Sequence, residues 1–526
     1  MHEKLVEDWL IKAGERGGID QAFGQWLISQ GHEILWIGHS RIEFGKDIVS
    51  IDPEGGYHAF QIKDEDLTLT ELRKHESQIS ELISLPIDHP RIPRGSRHTP
   101  HLVTSGLDKE EVNHWVRLKN DSLRASEKPT LELVDRNSLV SRFVKMADTF
   151  WPEKPANIKD FFSFYLAEGK GDFDPKRFAS ILVGLLPSED APARKRNRCA
   201  SALCLIGSYM LTAFDRESDH WSLFRGWIII ASHVAWFATK NELPEKHWKA
   251  SFMLAKDKAT NHLVRMTEEA SKEGALAPRD FEFDEYTRCR NTVIAGAASL
   301  LWLLNPGGDR SRLSGLLNRL ASGDRLIVWS EQAIPLLVCT HWATESGAPD
   351  VGAKSALHQY LVACRERNGP RSNDQPIEPP HTDIDDILPP LFNPKLHQHK
   401  GRRSNALWAM EAVVDLVCRR DERAPLEHLW SELTKLDIMS FRPKRLNDLL
   451  LWCDVEGAED QRKLRKTESW KRLQTEAYRD FSADLPDLLR FDPAFAIMFF
   501  VGYPHRVSAA LVGFLDKRWG FGALTA

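Results

Sequence analysis

The stretch Phe44-Gly45-Lys46-Asp47-Ile48-Val49-Ser50-Ile51-Asp52-Pro53-Glu54-Gly55-Gly56-Tyr57-His58-Ala59-Phe60-Gln61-Ile62-Lys63 reads as two β-strands joined by a tight turn. Asp52-Pro53-Glu54-Gly55-Gly56 sets a proline of fixed φ and two glycines able to take positive φ between runs rich in Ile, Val, Tyr and Phe, which is a hairpin signal. The strands are expected to pair antiparallel. Asp47 then lies near the start of the first strand and Gln61 to Lys63 near the end of the second, at the same end of the hairpin. Because strand side chains alternate faces, Gln61 and Lys63 point one way and Ile62 goes into the core.

That end presents a carboxylate, a carboxamide and an ammonium together. In a magnesium site Asp47 would be a hard oxygen ligand, with the Ile62 backbone carbonyl and the Gln61 amide oxygen as further donors and water and phosphate completing the shell. Lys63 would stabilise an attacking hydroxide or developing phosphorane charge. Lys46 reads as a solvated or phosphate-facing charge. His58, on the face shared by Gly56 and Phe60, reads as a packed or surface histidine.

The hairpin resembles the PD-(D/E)XK restriction-endonuclease-like superfamily, and Gln61-Ile62-Lys63 is similar to the Gln-x-Lys variant of Mrr-like nucleases. The flanks agree: Asp20 to Ser29 reads as an amphipathic helix, Gly31 as its stop, and His32 to Leu35 as a strand. The resemblance implies an acid on that first helix facing the site. Asp20 occupies a comparable place, and Glu43 competes for the same supporting role. Gln61 in place of a second carboxylate removes one negative charge from the metal site. The implied ion is Mg²⁺, with Mn²⁺ as its substitute. The resemblance covers under a third of the chain.

After Lys63 the expected order is a helix over Leu67 to Ile83, a strand over His101 to Thr104, a helix over Lys109 to Leu118, a strand over Leu131 to Val134 and a closing helix over Asp135 to Met146, capped by Asp135. The fold class is therefore α+β multidomain: a restriction-endonuclease-like α/β domain over 1–150, then a large mainly α-helical region. Periodic apolar runs place a helical domain over 151–365, seven prolines mark a linker or long loop over 366–405, and helical patterning resumes at Ala406 for a C-terminal domain over 406–526. His397 and His399 in the linker lack a third ligand nearby and read as solvated.

Composition bounds the remaining classes. The 526 residues are 42% hydrophobic and 28% charged, a soluble globular balance. Met1 to Asp8 is charged and has no apolar signal core. The apolar runs Ala202 to Phe214 and Thr292 to Leu304 are too short to span a membrane and read as buried helices. Seven cysteines without Cys-x-x-Cys spacing suggest neither zinc ribbon nor disulfide framework, and fit a reducing cytoplasm. No phosphate-binding loop, dinucleotide fingerprint, nucleophile elbow or zinc-protease motif stands out.

The net charge of −5 weighs against an extended DNA grip, so basic clusters matter. Arg91, Arg94 and Arg97, in a Pro-rich loop expected to overhang the cleft, are the leading phosphate-binding candidates together with Lys46. The resemblance implies an endodeoxyribonuclease of limited sequence specificity, acting in prokaryotic anti-phage or anti-plasmid defence. Its helical region would serve a sensor or targeting partner, an Argonaute-like protein or an ATPase, and the active form would be a homo-oligomer. The alternatives are a non-cleaving adaptor with a degenerate nuclease domain, and an RNA-directed nuclease.

Overall fold

The computed structural model describes residues 2–12, 19–37, 45–147, 173–188, 190–277, 284–305, 310–321, 326, 332–368, 406–407, 409–420, 422–433, 437–452, 459–463, 470–478 and 482–520. The chain divides into two compact units, Met1–Lys258 and Ala259–Ala526.

The first unit opens with α1 (His2–Lys12) and α2 (Asp20–Ser29), then the strands β1 (Glu33–Ile37), β2 (Ile48–Ile51) and β3 (Tyr57–Lys63). The β2–β3 turn is held by Asp52, whose Oδ1 accepts the N–H groups of Glu54 at 3.0 Å and Gly56 at 2.7 Å, while Gly55 takes φ +89°. The two strands pair antiparallel from Ile48↔Phe60 to Ile51↔Tyr57, as the turn chemistry implies. Next come α3 (Leu69–Lys74), α4 (Glu76–Ser84), β4 (Thr99–Thr104), α5 (Glu110–Ala125), β5 (Glu132–Val134) and α6 (Arg136–Ala147). The sheet order is β1-β2-β3-β4-β5, with β1 antiparallel to β2 and β3, β4 and β5 mutually parallel.

Strand alternation gives each face its own core. Ile48, Phe60, Ile62, Val103 and Val134 pack with Phe23 and Leu27 of α2 and Leu139 and Phe143 of α6. On the other face Val49, Ala59 and Leu102 meet Leu72, Leu82, Val112 and Val116 from the crossover helices. The single helix expected over Leu67 to Ile83 is two helices. The Thr68 side chain caps α3 by accepting the Glu71 N–H, and His75, at the break, is 2.7 Å from Glu65 Oε1 through Nε2. That contact draws the break back toward the end of β3.

The same unit contains α7 (Pro175–Gly184), α8 (Ala193–Arg216), α9 (His220–Lys240) and the start of α10 (Lys249–Ser271). The boundary expected near residue 150 lies outside the described residues, and the helices beyond it pack on the α/β core. Leu205 and Tyr209 of α8 join the cluster around Phe23, and Ser251 Oγ donates to Gln25 Oε1 at 2.8 Å. Helices α8 and α9 approach through two glycines: a Cβ on Gly207 would sit 2.3 Å from Ile230 Cδ1, and one on Gly226 2.6 Å from Leu211 Cδ2.

The second unit is mainly helical: α11 (Asp284–Leu304), α12 (Ser311–Ala321), α13 (Ala333–Glu345), α14 (Ala353–Asn368), α15 (Met410–Arg419), α16 (Arg423–Leu433), α17 (Trp470–Ala477), α18 (Asp487–Phe491), α19 (Pro493–Gly502) and α20 (Ala509–Trp519). Its centre is α19, buried from Phe495 to Gly502 and capped by Asp492, which accepts the Phe495 N–H at 2.9 Å. Helical patterning does not resume at Ala406 as expected. Ala406–Leu407 is a short strand, β6, parallel to β7 (Asp437–Phe441), which pairs antiparallel with β8 (Glu459–Lys463). Pairing with a strand thirty residues away overrides the local helical pattern.

The runs Ala202 to Phe214 and Thr292 to Leu304 lie in α8 and α11 and are largely buried. Among the described residues no helix is long and apolar enough to cross a membrane. Cys199, Cys204, Cys289, Cys339, Cys364 and Cys418 are buried free thiols. The linker from residue 369 on, with His397 and His399, lies outside the described residues.

Candidate metal and phosphate site

Asp47 sits one residue before β2. Its N–H donates to the Phe60 carbonyl at 2.8 Å, and its Oδ2 accepts the Ile62 N–H at 2.6 Å. The N–H and C=O of a strand residue point to the same side, so the Ile62 carbonyl is also directed toward the β2 side of β3. Gly45, at φ +73°, brings the chain down over Gln61: a Cβ there would lie 3.0 Å from the Gln78 carbonyl and 3.5 Å from Gln61 Nε2.

Gln78 of α4 organises the pair on the strand. Its Oε1 accepts hydrogen bonds from Gln61 Nε2 at 3.0 Å and Lys63 Nζ at 3.1 Å. The sequence reading missed Gln78. It lies fifteen residues past Lys63 on a crossover helix, and nothing in its local pattern distinguishes it from a surface glutamine. Gln61 is 2% exposed and Lys63 8%, and the Gln61 amide oxygen is buried with no hydrogen-bond partner. Left unpaired, such a group costs on the order of 1–3 kcal/mol.

Asp47, Gln61, Ile62 and Lys63 are thus brought together at one end of the hairpin. An Asp carboxylate, an orphaned amide oxygen and a strand carbonyl are the hard oxygen donors that Mg²⁺ selects, so these residues fit that ion. Asp20 opens α2, is 4% exposed, and has its Oδ2 3.5 Å from Lys258 Nζ of α10. That partner, more than two hundred residues away in sequence, has no local signature. Glu43 lies outside the described residues.

Two expectations about basic residues change. Lys46 is 4% exposed, so it is not a solvated charge. Burial pushes its ammonium down to about 8, with Glu81 of α4 pulling the other way. Arg91 is forked onto Glu33, Nη1 to Oε1 at 2.6 Å and Nη2 to Oε2 at 2.9 Å. Glu33 is in register with Ile51, and Thr99 at the end of the arginine loop is in register with His58. The crossover from β3 must return to the start of the parallel strand β4, so the loop carrying Arg91, Arg94 and Arg97 opens at the turn end of the hairpin. It does not overhang the Asp47 end.

At that turn end His58 is part of a polar chain across the sheet. His58 Nε2 is 2.8 Å from Asp52 Oδ2, His58 Nδ1 is 2.9 Å from His101 Nε2, and His101 Nδ1 is 3.2 Å from Glu132 Oε2. His32 stands edge-on to His58 with its Nδ1 3.0 Å from Ser50 Oγ. A ring-to-ring N···N hydrogen bond needs one neutral imidazole. Burial pushes His32 down to about 4, with His58 adding to the shift and Asp52 opposing it; burial also lowers His101, against its hydrogen bond to Glu132.

A histidine depressed in the folded state gives stability that is full above its unfolded pKa of about 6.5 and is lost as pH falls toward the folded value. The thermal midpoint of the first unit is therefore expected to fall steadily from pH 7 to pH 4.5. In His101→Gln the slope should flatten, and an unchanged slope would remove this chain as its source.

No family model matches the chain, no curated protein matches it in sequence, and no solved structure matches it.

Proposed function

We propose that the chain is a metal-dependent nuclease that hydrolyses DNA phosphodiester bonds with limited sequence specificity. The supporting observation is the unpartnered buried Gln61 amide oxygen, set on the strand that carries Lys63 and beside the Ile62 N–H held by Asp47. A bound Mg²⁺ would supply a Lewis acid for the phosphoryl oxygen and a lowered pKa for its water. Asp47, the Gln61 amide oxygen and the Ile62 carbonyl would hold it. Lys63, fixed by Gln78, brings a positive charge to the phosphate oxygens as negative charge develops there. The role we infer is that of a prokaryotic defence effector, with the helical unit receiving a sensor or targeting partner and two copies cutting the two strands.

The test is conversion of supercoiled plasmid to nicked and linear forms with Mg²⁺, Mn²⁺ or EDTA, with single-stranded RNA as competitor. Lys63→Ala should lower the rate about 10²-fold. Cleavage by Lys63→Ala at the parental rate would overturn the assignment, and preferential RNA loss would replace the substrate. Gln78→Leu should lower kcat about tenfold with little change in KM, since it removes the acceptor that orients Lys63 without removing the charge. A matched change in KM alone would make Gln78 a binding group instead.

The competing reading is a nucleic-acid or protein adaptor that does not cut. It is favoured by the donor set itself, in which Asp47 is the single formal anion. Tight plasmid retention without cleavage under every metal would establish it.

A further inference from the structure

The run Arg194-Lys195-Arg196-Asn197-Arg198 opens α8 and takes no part in the nuclease chemistry. Helices α8 and α9 form an antiparallel pair. Gly207 meets Ile230 and Leu211 meets Gly226, so four residues forward on α8 are four back on α9. Carried to the end of the pair, the same register sets Lys240, the last residue of α9, level with Asn197. Packed helix axes run about 8–10 Å apart, so Lys240 and the α8 cations share one end of the pair. The 3-10 turn Glu245–His247 then packs on α8, and both Lys246 on that turn and Lys249 at the start of α10 are exposed. Cations from α8, α9, the turn and α10 thus converge on one surface of the first unit.

That charge is not balanced locally. The described acids adjoining these elements are Asp190, Glu242 and Glu245, and Glu245 is already taken by Lys249 Nζ at 2.6 Å. Lys195 and Arg198, one helical turn apart, are half-buried and have no carboxylate at ion-pair distance among the described residues. Nor do they serve the helix: its macrodipole favours carboxylates in the first turn, and this first turn has none. An anion from outside the chain answers both points. The aromatic rings at this end are engaged, Trp236 lying 5.0 Å beneath Lys240 Nζ and Trp248 edge-on to Phe252. Point charges without a stacking platform suit a duplex backbone rather than unstacked bases.

We propose that this end of the α8–α9 pair binds the phosphate backbone of duplex DNA, with Lys195, Arg198 and Lys246 as the gripping charges. The inference rests on the reading of the chain as DNA-acting and deepens it. A net charge of −5 supplies no general attraction for DNA, so the grip comes from a local basic surface. Backbone contacts carry no sequence information, in keeping with limited specificity.

Fluorescence anisotropy of a labelled short duplex with the full chain in EDTA tests binding apart from cleavage. Parental affinity should fall steeply between about 50 and 200 mM salt. Lys195→Gln/Arg198→Gln should bind about tenfold more weakly, with the slope of log K against log salt reduced by about 2, and Lys246→Gln should reduce that slope by about 1. Glutamine is a good helix former and relieves the dipole, so α8 keeps its fold in the double variant. The charge-matched reference is Arg124→Gln/Arg312→Gln, two exposed cations paired with Asp121 and Glu268, which should keep the parental slope and affinity. A parent that binds duplex, loses its grip in Lys195→Gln/Arg198→Gln and never cuts with Mg²⁺ would support this surface and remove the nuclease reading. Parental affinity and slope in that double variant, an equal loss in the reference, no duplex binding by the parent, or tighter competition by single-stranded RNA would each overturn the proposal.

Discussion

Asp47→Asn is expected to lower Mg²⁺-dependent DNA cleavage by about 10³-fold or more, with the thermal midpoint moved by no more than about 2 °C. The carboxylate has two separable roles. Structurally, its Oδ2 accepts the Ile62 N–H at 2.6 Å where β2 pairing begins, which ties the strand entry to β3. Chemically, it carries the one formal negative charge among the donors Asp47, Gln61 and Ile62. Asparagine keeps an acceptor oxygen for the Ile62 amide and removes the charge, so fold and chemistry part company in this variant. Alanine would confuse the two, because the orphaned N–H alone costs on the order of 1–3 kcal/mol. A plasmid-nicking time course beside a melting curve checks both halves. Parental cleavage by a folded Asp47→Asn protein would mean that no metal acts at this end of the hairpin.

What the sequence made legible here is what local chemistry decides. The Asp52–Gly56 turn was readable because proline, aspartate and paired glycines each act within four residues, and the strand faces followed from a period of two. The end of the hairpin shared by Asp47 and Lys63 came from counting outward from that turn. What was not legible depends on partners that arrive through the fold. Gln78 becomes a shared acceptor only because α4 crosses the face that bears Gln61 and Lys63. Lys46 looked solvated because its burial is imposed by a helix thirty residues on. The arginine loop opens at the turn end because β3 and β4 are parallel, and parallel pairing has no local signature. Asp20 is a site acid only by the resemblance, while Lys258, the cation beside it, comes from α10 and has no local signature.

In the second unit, Asp516→Ala is expected to cost about 3–5 kcal/mol, because it removes the carboxylate that holds the buried Trp342 N–H and the half-buried Arg420 guanidinium. Asp516 of α20 is 5% exposed. Its Oδ1 accepts the Trp342 indole N–H at 2.8 Å and Arg420 Nη2 at 2.5 Å, and its Oδ2 accepts Arg420 Nη1 at 3.0 Å and lies 4.0 Å from Arg419 Nη1. Glu345 of α13 holds the other edge of Arg420 through Nε at 2.5 Å and Nη2 at 2.6 Å. Burial acts to lower the Arg420 pKa, and the hydrogen bonds to Glu345 and Asp516 outweigh it and raise it above its ordinary value. Removing Asp516 strands the Trp342 N–H, in a side chain with no exposed surface, and leaves Arg420 with one carboxylate and Arg419 with Asp415 alone. Glu345→Gln should cost less, since glutamine keeps an acceptor for Arg420 and Asp516 stays in place. The loss is to be read in the second unit alone. The readout is hydrogen exchange of α13 and α20 peptides, with the α2 and β3 peptides as the internal reference. Protection falling by about 10² to 10³-fold in α13 and α20 but not in β3 is the expected result, and a loss under tenfold would show that the arginine cluster is satisfied without Asp516.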